Sequence, residues 1–285
     1  MPTSSRRTFL KTSLAAGAAT TLASLPAVSA RAAAAPAAAR DFYELRAYRL
    51  KPGASDTLIH SYLEKALVPA LNARGLATVG VFTEVEVDKK AVTSKPKAST
   101  AEVQTSVWVL ITHPTLESFV KVSADLNADP AVQKAAADYF MTPKASPAYD
   151  RVDIWLLRSF AGFPRTEIPA FSKTKVATRV FELRDYESHS EERALSKMAM
   201  FNNGEIDVMK ELGMSPVFFG QALAGPNLPH LRYITCGADL ATHLNNWKAF
   251  GTHPTWTKLK NDPQYKDNTS KNTARFLVPT AYSQI

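Results

Sequence analysis

The chain has 285 residues, 45% of them hydrophobic and 21% charged, with a formal charge of +8. That is globular composition, long enough for two modest domains or one duplicated one. Arg6, Arg7 and Lys11 supply three of the positive charges within the first thirty residues, leaving a mild and scattered +5 for the rest. No run of Lys and Arg interleaved with aromatics occurs, which argues against a nucleic-acid partner.

The N-terminus reads "SSRRTFLKTSLAAGAATTLASLPAVSA". Ser5, Arg6, Arg7, Phe9, Leu10 and Lys11 form a twin-arginine export pattern, and Thr12 to Ala30 carries no charge. Val28 and Ala30 are small enough for signal peptidase, so residues 1–30 are predicted to be a signal cut after Ala30. The protein is expected to fold in the cytoplasm and to be exported to the periplasm or beyond. No membrane span is expected once the signal is removed. Residues 31–40 read as an Ala-rich linker.

The first predicted strand, "FYELRAY" at 42–48, returns 138 residues later as "VFELRDY" at 180–186. At the same offset Gly75 falls on Gly213 and Val79 on Val217. Further on, the offset becomes 124: Leu116 meets Leu240, Val120 meets Leu244, Leu126 meets Phe250, and Pro130 meets Pro254. The lost residues belong to "EVEVDKKAVTSKPKASTAEVQ", where the second copy has only "QALAGPNLPH". The first copy is therefore expected to carry an extra charged hairpin or loop.

In the first repeat, residues 41–161, the opening strand precedes a helix from about Asp56 to Arg74. Tyr62, Ala66 and Ala70 share one helix face, and a kink is expected at Pro69. "TSVWVLIT" reads as a strand, Thr115 to Asn127 as a second helical region, and "DIWLLRSF" as the closing strand. Residues 162–178 are a Pro-punctuated linker. In the second repeat, residues 179–285, Ser188 and Glu191 have capping-box spacing. Leu195, Met198, Ile206, Met209 and Leu212 then recur at helical intervals, and Gly213 suits the helix end. "PVFFGQAL" and "HLRYITC" are strands joined by "AGPN"; Leu240, Leu244, Trp247 and Phe250 mark a helix; "ARFLVP" is the last strand. Cys236, in the apolar run "LRYITCG", is the single cysteine, so no intrachain disulfide forms, and it reads as a buried hydrophobe.

The order is β-α-β-β-α-β twice, which predicts an α+β fold of two tandem ferredoxin-like repeats. Each such sheet has helices on one face and needs cover on the other. Packing sheet to sheet would give an α+β barrel within one chain, and the space between the sheets is the expected ligand site.

The blocks "VFELRDYESHSEERALSKMAMFNNGEIDVMKELG", "PVFFGQALAGPNLPHLRYI", "NNWKAFGTHPTWTKL" and "LVPTAYSQI" make the second repeat resemble the NIPSNAP family. That resemblance implies tandem ferredoxin-like barrels. Animal relatives are described as trafficking or mitochondrial quality-control proteins, and exported bacterial ones have no settled role. Similar barrels include cofactor-free monooxygenases and haem enzymes, so the fold alone does not fix a function. The first repeat keeps "FYELRAYRLKPG" but has Ser123 where the second has Trp247.

Alternation along the strands places Glu44, Arg46 and Tyr48 on one face, and likewise Glu182, Arg184 and Tyr186. These six are the ligand-binding candidates. Tyr43, Leu45, Phe181 and Leu183 are assigned to the helix-covered face, so the polar triplets are expected to face the barrel interior. A Glu beside an Arg is held ionised, which suits an ion-pair lattice stitching the two sheets. The functional counterpart has Arg46 or Arg184 holding a ligand carboxylate or enolate, with Tyr48 or Tyr186 donating a hydrogen bond.

The six histidines show no metal-ligand spacing, and neither metal nor cofactor is expected. His113 and His253, both in "THP", read as helix starts. Trp247, Phe250 and Trp256 read as core. Asn202, Asn203 and Gly204 interrupt a helical run and ask for a bulge or a break. Three functions stay open: an exported protein binding a small ligand or a protein partner; a cofactor-independent monooxygenase- or isomerase-like enzyme using Arg184 and Tyr186; and a haem- or metal-binding protein. Self-association and catalysis are both left open.

Overall fold

The first repeat begins with β1 (Phe42–Arg49) and a helix in two parts, α1 (Thr57–Tyr62) and α2 (Val68–Ala73), joined by a π-helical turn, Leu63–Leu67. The computed structural model describes residues 39–285; the signal expected at 1–30 and most of the linker at 31–40 lie outside them. The disturbance expected at Pro69 takes the form of that wider turn, which precedes a proline whose missing N–H would otherwise break the ladder. Then come β2 (Val79–Asp88), β3 (Thr93–Pro96), β4 (Ser106–His113), α3 (Leu116–Ala128), α4 (Pro130–Ala135), α5 (Ala137–Phe140) and β5 (Arg151–Ser159). A short α6 (Ala170–Lys173) lies in the connection.

The second repeat runs β6 (Val180–Glu187), α7 (Glu191–Met200), α8 (Ile206–Glu211), β7 (Phe218–Ala224), β8 (His230–Gly237), α9 (Leu240–Thr252), α10 (Pro254–Asn261) and β9 (Lys271–Pro279). Its π-helical turn, Phe201–Glu205, sits 138 residues after the first and contains the Asn-Asn-Gly interruption. Gly204 there adopts φ 142°, a value only glycine takes freely. The helix start differs from expectation by two residues. Ser190, not Ser188, caps α7 by accepting from Arg193 N, while Ser188 donates to the carbonyl of Asn268.

Eight antiparallel strands close a barrel in the order β2-β4-β1-β5-β7-β8-β6-β9, with β9 returning to β2. Each repeat contributes a four-stranded ferredoxin-like sheet, and two seams join them. At one, Ser159 of β5 pairs with Gly220 of β7; at the other, Phe82 to Val85 of β2 pair with Pro279 to Phe276 of β9. The last residues lace onto the first repeat: Val81 N donates to Ser283 Oγ, and Ile285 is fully buried between the sheets. The hairpin expected in the first repeat is β2–β3, with Glu86 opposite Lys95 and Asp88 opposite Thr93.

The assignment of strand faces is reversed from expectation. Tyr43, Leu45 and Ala47 of β1 and Phe181 and Leu183 of β6 point into the barrel, where they pack with Trp108, Leu277 and Ile285. Burying such side chains contributes about 1.5–3 kcal/mol each. Tyr48 lies in the helix-covered core of the first repeat with Ile59, Leu63, Leu67 and Val109. Tyr186 lies in that of the second with Met198, Phe201, Phe219 and Tyr233. Both polar triplets therefore face the helices. The Glu–Arg pairs each lie within one strand on its helix-covered side and do not stitch the two sheets.

The charges that do lie between the sheets belong to other residues. Asp185 bridges two arginines: Arg232 Nε at 2.5 Å and Arg275 Nη1 at 2.9 Å. The Arg232 guanidinium sits 3.6 Å from the Trp155 ring centroid. Burial pushes its pKa down to about 10, against the pull of Asp185. The corresponding first-repeat positions are Ala47 and Trp108, so this charged group is peculiar to the second repeat's side of the barrel.

Candidate functional site

Each repeat assembles the same four kinds of side chain on the outward face of its first strand. In the first, Arg46 Nε donates to Glu44 Oε1 at 2.6 Å, and Arg46 Nη1 lies 3.4 Å from the Tyr48 hydroxyl. His113, the last residue of β4, places Nε2 3.1 Å from Glu44 Oε2 and Nδ1 3.0 Å from Ser118 Oγ. In the second, Arg184 Nη1 donates to Glu182 Oε1 at 2.9 Å, and His243 Nε2 lies 2.8 Å from Glu182 Oε2. The same His243 Nε2 lies 3.1 Å from the indole Nε1 of Trp247, so this one nitrogen meets both the carboxylate and the tryptophan.

Burial alone would raise both glutamate pKa values. Arg46 and His113 outweigh it at Glu44, and His243 and Arg184 outweigh it at Glu182, so both carboxyls are held below the ordinary range. The sequence-derived view of an ionised Glu beside its Arg therefore agrees with the geometry. The histidines were not foreseen. His113 comes from a neighbouring strand and His243 from α9, so no fixed sequence spacing links either to its glutamate. His113 is a buried partner of Glu44 and not a helix start; His253 does cap α10, accepting from Thr255 N.

The two quartets differ in what surrounds them. Arg46 is sealed, its side chain 9% exposed, beneath a cluster in which Tyr62 and Tyr139 stack at 3.9 Å and Tyr149 packs edge-on to Tyr48. The Arg184 side chain is 20% exposed and opens into a groove of about 440 Å³. Its guanidinium lies 4.3 Å from the Trp247 ring centroid. Glu182 and Arg184 form the floor; Leu244, Asn245, Trp247 and Lys248 of α9 form one wall; Lys89 and Val92, in the β2–β3 turn of the first repeat, form the other. Asp88 fixes that turn by accepting from Lys90 N and Ala91 N. Trp247 thus lines a groove as well as packing on Phe250.

Behind Arg184 lies a second set of buried polar groups. The Tyr233 hydroxyl donates to that of Tyr186 at 2.9 Å. Lys197 Nζ pairs with Glu205 Oε2 at 2.8 Å, and the same ammonium sits 4.8–5.4 Å from the rings of Phe201, Tyr186 and Trp256. Burial raises the pKa of Glu205 despite Lys197, and raises that of Tyr186. The first repeat has Ile59 and Leu67 at the positions of Lys197 and Glu205, both fully buried. The Asn-Asn-Gly interruption was the sequence signal for this place. Among the described residues no cluster of His, Cys, Asp or Glu could hold a metal ion, and no helix is long and apolar enough to cross a membrane.

The NIPSNAP family profile matches residues 181–284, the second repeat but for two residues at its start and one at its end. The second repeat is a NIPSNAP domain. The twin-arginine translocation signal profile matches residues 3–23, so the chain is directed to export by that pathway. No curated protein matches the chain in sequence. Two solved structures share the tandem barrel of which the second repeat forms half, both described as candidate monooxygenases. The one from Fusobacterium nucleatum subsp. nucleatum is 9% identical, with TM-score 0.52, covering 85% of this chain and 93% of its own. The one from Lactobacillus acidophilus is 9% identical, with TM-score 0.50, covering 84% and 94%. At that identity the likeness is one of fold. A NIPSNAP-like domain protein from Burkholderia xenovorans is 15% identical with TM-score 0.34, covering 37% of this chain and 89% of its own.

Proposed function

We propose that this exported protein binds a small molecule in the groove between α9 of its NIPSNAP domain and the β2–β3 hairpin of the first repeat. The observation that carries the reading is the contrast between the two arginines: Arg46 is sealed, whereas Arg184 reaches a groove of small-molecule size. Arg184 is oriented by Glu182 and by the Trp247 ring, so little reorganisation is needed to present its remaining N–H groups.

A second reading is supported by the buried Tyr186–Tyr233 and Lys197–Glu205 pairs behind the groove. Clustered ionisable groups with displaced pKa values are common at catalytic centres. In that reading Arg184 holds an enolate or carboxylate and Tyr186 relays a proton, without a cofactor.

Native mass spectrometry of protein recovered from the compartment to which it is exported tests the binding reading. A small-molecule adduct is expected on the wild type and not on Arg184→Met. An adduct retained unchanged by Arg184→Met, or a wild type of bare polypeptide mass, would overturn it.

A further inference from the structure

The groove has an excess of positive charge. Glu182 is its one carboxylate, and both its oxygens are engaged, one by Arg184 and one by His243. Lys89 and Lys248 line the two walls, and among the described residues neither pairs with a carboxylate. With Arg184 at the floor, three cations face one carboxylate that is already committed. The rest of the lining, Val92, Leu244 and Trp247, is apolar or aromatic.

The origin of Lys89 matters. It belongs to the segment that lengthens the first repeat by 14 residues relative to the second, by the change of repeat offset from 138 to 124. That hairpin hangs outside the eight-stranded ring, beside β9 of the other repeat, and Lys89 Nζ lies 5.5 Å from the Phe276 ring centroid. The matching connection in the second repeat, between β7 and β8, spans only residues 225–229, against 89–105 between β2 and β4. Among the described residues it does not contribute to the sealed quartet of the first. The extra segment thus serves the open site alone. Lys89 helps to hold Glu182 ionised, but that carboxylate is already bonded to Arg184 and His243, so a turn that carries Lys89 toward Arg184 and Lys248 makes sense if a further anion lies between them.

We infer that the ligand is a small dianion with a flat or apolar body, a phosphate monoester or a dicarboxylate. Its charged groups are shared among Lys89, Lys248 and Arg184, and its body lies against Trp247, Leu244 and Val92. This rests on the groove being the binding site. Glu182 answers for Arg184, so a monoanion would leave one wall lysine uncompensated and a neutral molecule would leave both.

Calorimetric titration of the exported chain with four probes of one body size tests the assignment: phenyl phosphate, phthalate, benzoate and benzyl alcohol. One or both dianions are expected to bind about tenfold or more tightly than benzoate, with benzyl alcohol weakest and the gap shrinking as salt is added. Lys89→Gln and Lys248→Gln, both at exposed positions, are each expected to weaken the dianion by about two- to fivefold and narrow its lead over benzoate. Equal affinity for dianions and benzoate, no effect of either lysine variant, or no binding by any of the four would overturn the dianion assignment. The separate Arg184→Met adduct measurement tells whether the groove reading falls with it.

Discussion

The two Glu-Leu-Arg strands are nearly the same in sequence and are used in opposite ways. Over Arg46 the helix presents Ile59, Leu63 and Leu67, and a tyrosine cluster closes the side, so the ion pair is entombed. Over Arg184 the equivalent positions are Lys197, Phe201 and Glu205, and the neighbouring helix offers Trp247 where the first repeat has Ser123. A buried Glu-Arg pair with its histidine is thus a fastening that both repeats keep. What sets the proposed site apart from the sealed copy is the cover: a wider wall on α9, a loop borrowed from the other repeat, and a second layer of buried charge.

The largest expected effect distinguishes fastening from site directly. Arg46→Met strands an ionised Glu44 in the core and should cost about 3–5 kcal/mol in denaturant unfolding. Arg184→Met, at a position water reaches, should cost about 1–2 kcal/mol, because solvent relieves part of the penalty. Equal losses would remove the contrast between a sealed and an open pair. Next, giving the second repeat the first repeat's residues, Lys197→Ile with Glu205→Leu, should leave stability unchanged or raise it by about 1–4 kcal/mol, whereas Lys197→Ile alone should be strongly destabilising. A double variant as unstable as the single one would mean that the buried pair holds the π-helical turn together.

The smallest effect is on acid stability. Glu44 and Glu182 have folded pKa values below their unfolded ones. Their contribution is complete above the unfolded carboxylate value and is lost as pH falls through the lowered folded value. Glu205 has the opposite shift, so protonating it as pH falls toward the unfolded value adds stability. Melting temperatures between pH 6 and 3 should fall less steeply for Glu44→Gln and Glu182→Gln than for the wild type. They should fall more steeply for the Lys197→Ile, Glu205→Leu double variant. Identical slopes in all four proteins would remove these carboxyls from the account.

The tandem architecture was legible because duplication left matched spacings and because strand and helix periods differ. The position of the export signal was legible too, from composition and charge order. The site was half legible. Glu182 and Arg184 stand out in the sequence, but Trp247 reads there as core, and His243, Lys197 and Lys89 reach the site from a helix face, a helix interior and a turn of the other repeat. Lys197 looks like any solvated lysine in "ALSKMAM", and only the interruption "NNGE" hints that its helix is irregular. Lys89 sits in a charged stretch whose neighbours give no reason to prefer it.

The sequence by itself determined that Glu, Arg and Tyr of each opening strand share one face, since a strand's side chains alternate with a period of two. It could not determine which face looks inward. Both faces of these strands are covered, one by helices and one by the opposite sheet, so the polar Glu-Arg-Tyr stripe does not mark a solvent side. Only closure of the barrel decided the matter. Tyr43, Leu45, Phe181 and Leu183 take the interior with Ile285, which leaves Glu44 and Glu182 on the outer side, where His113 of β4 and His243 of α9 reach them.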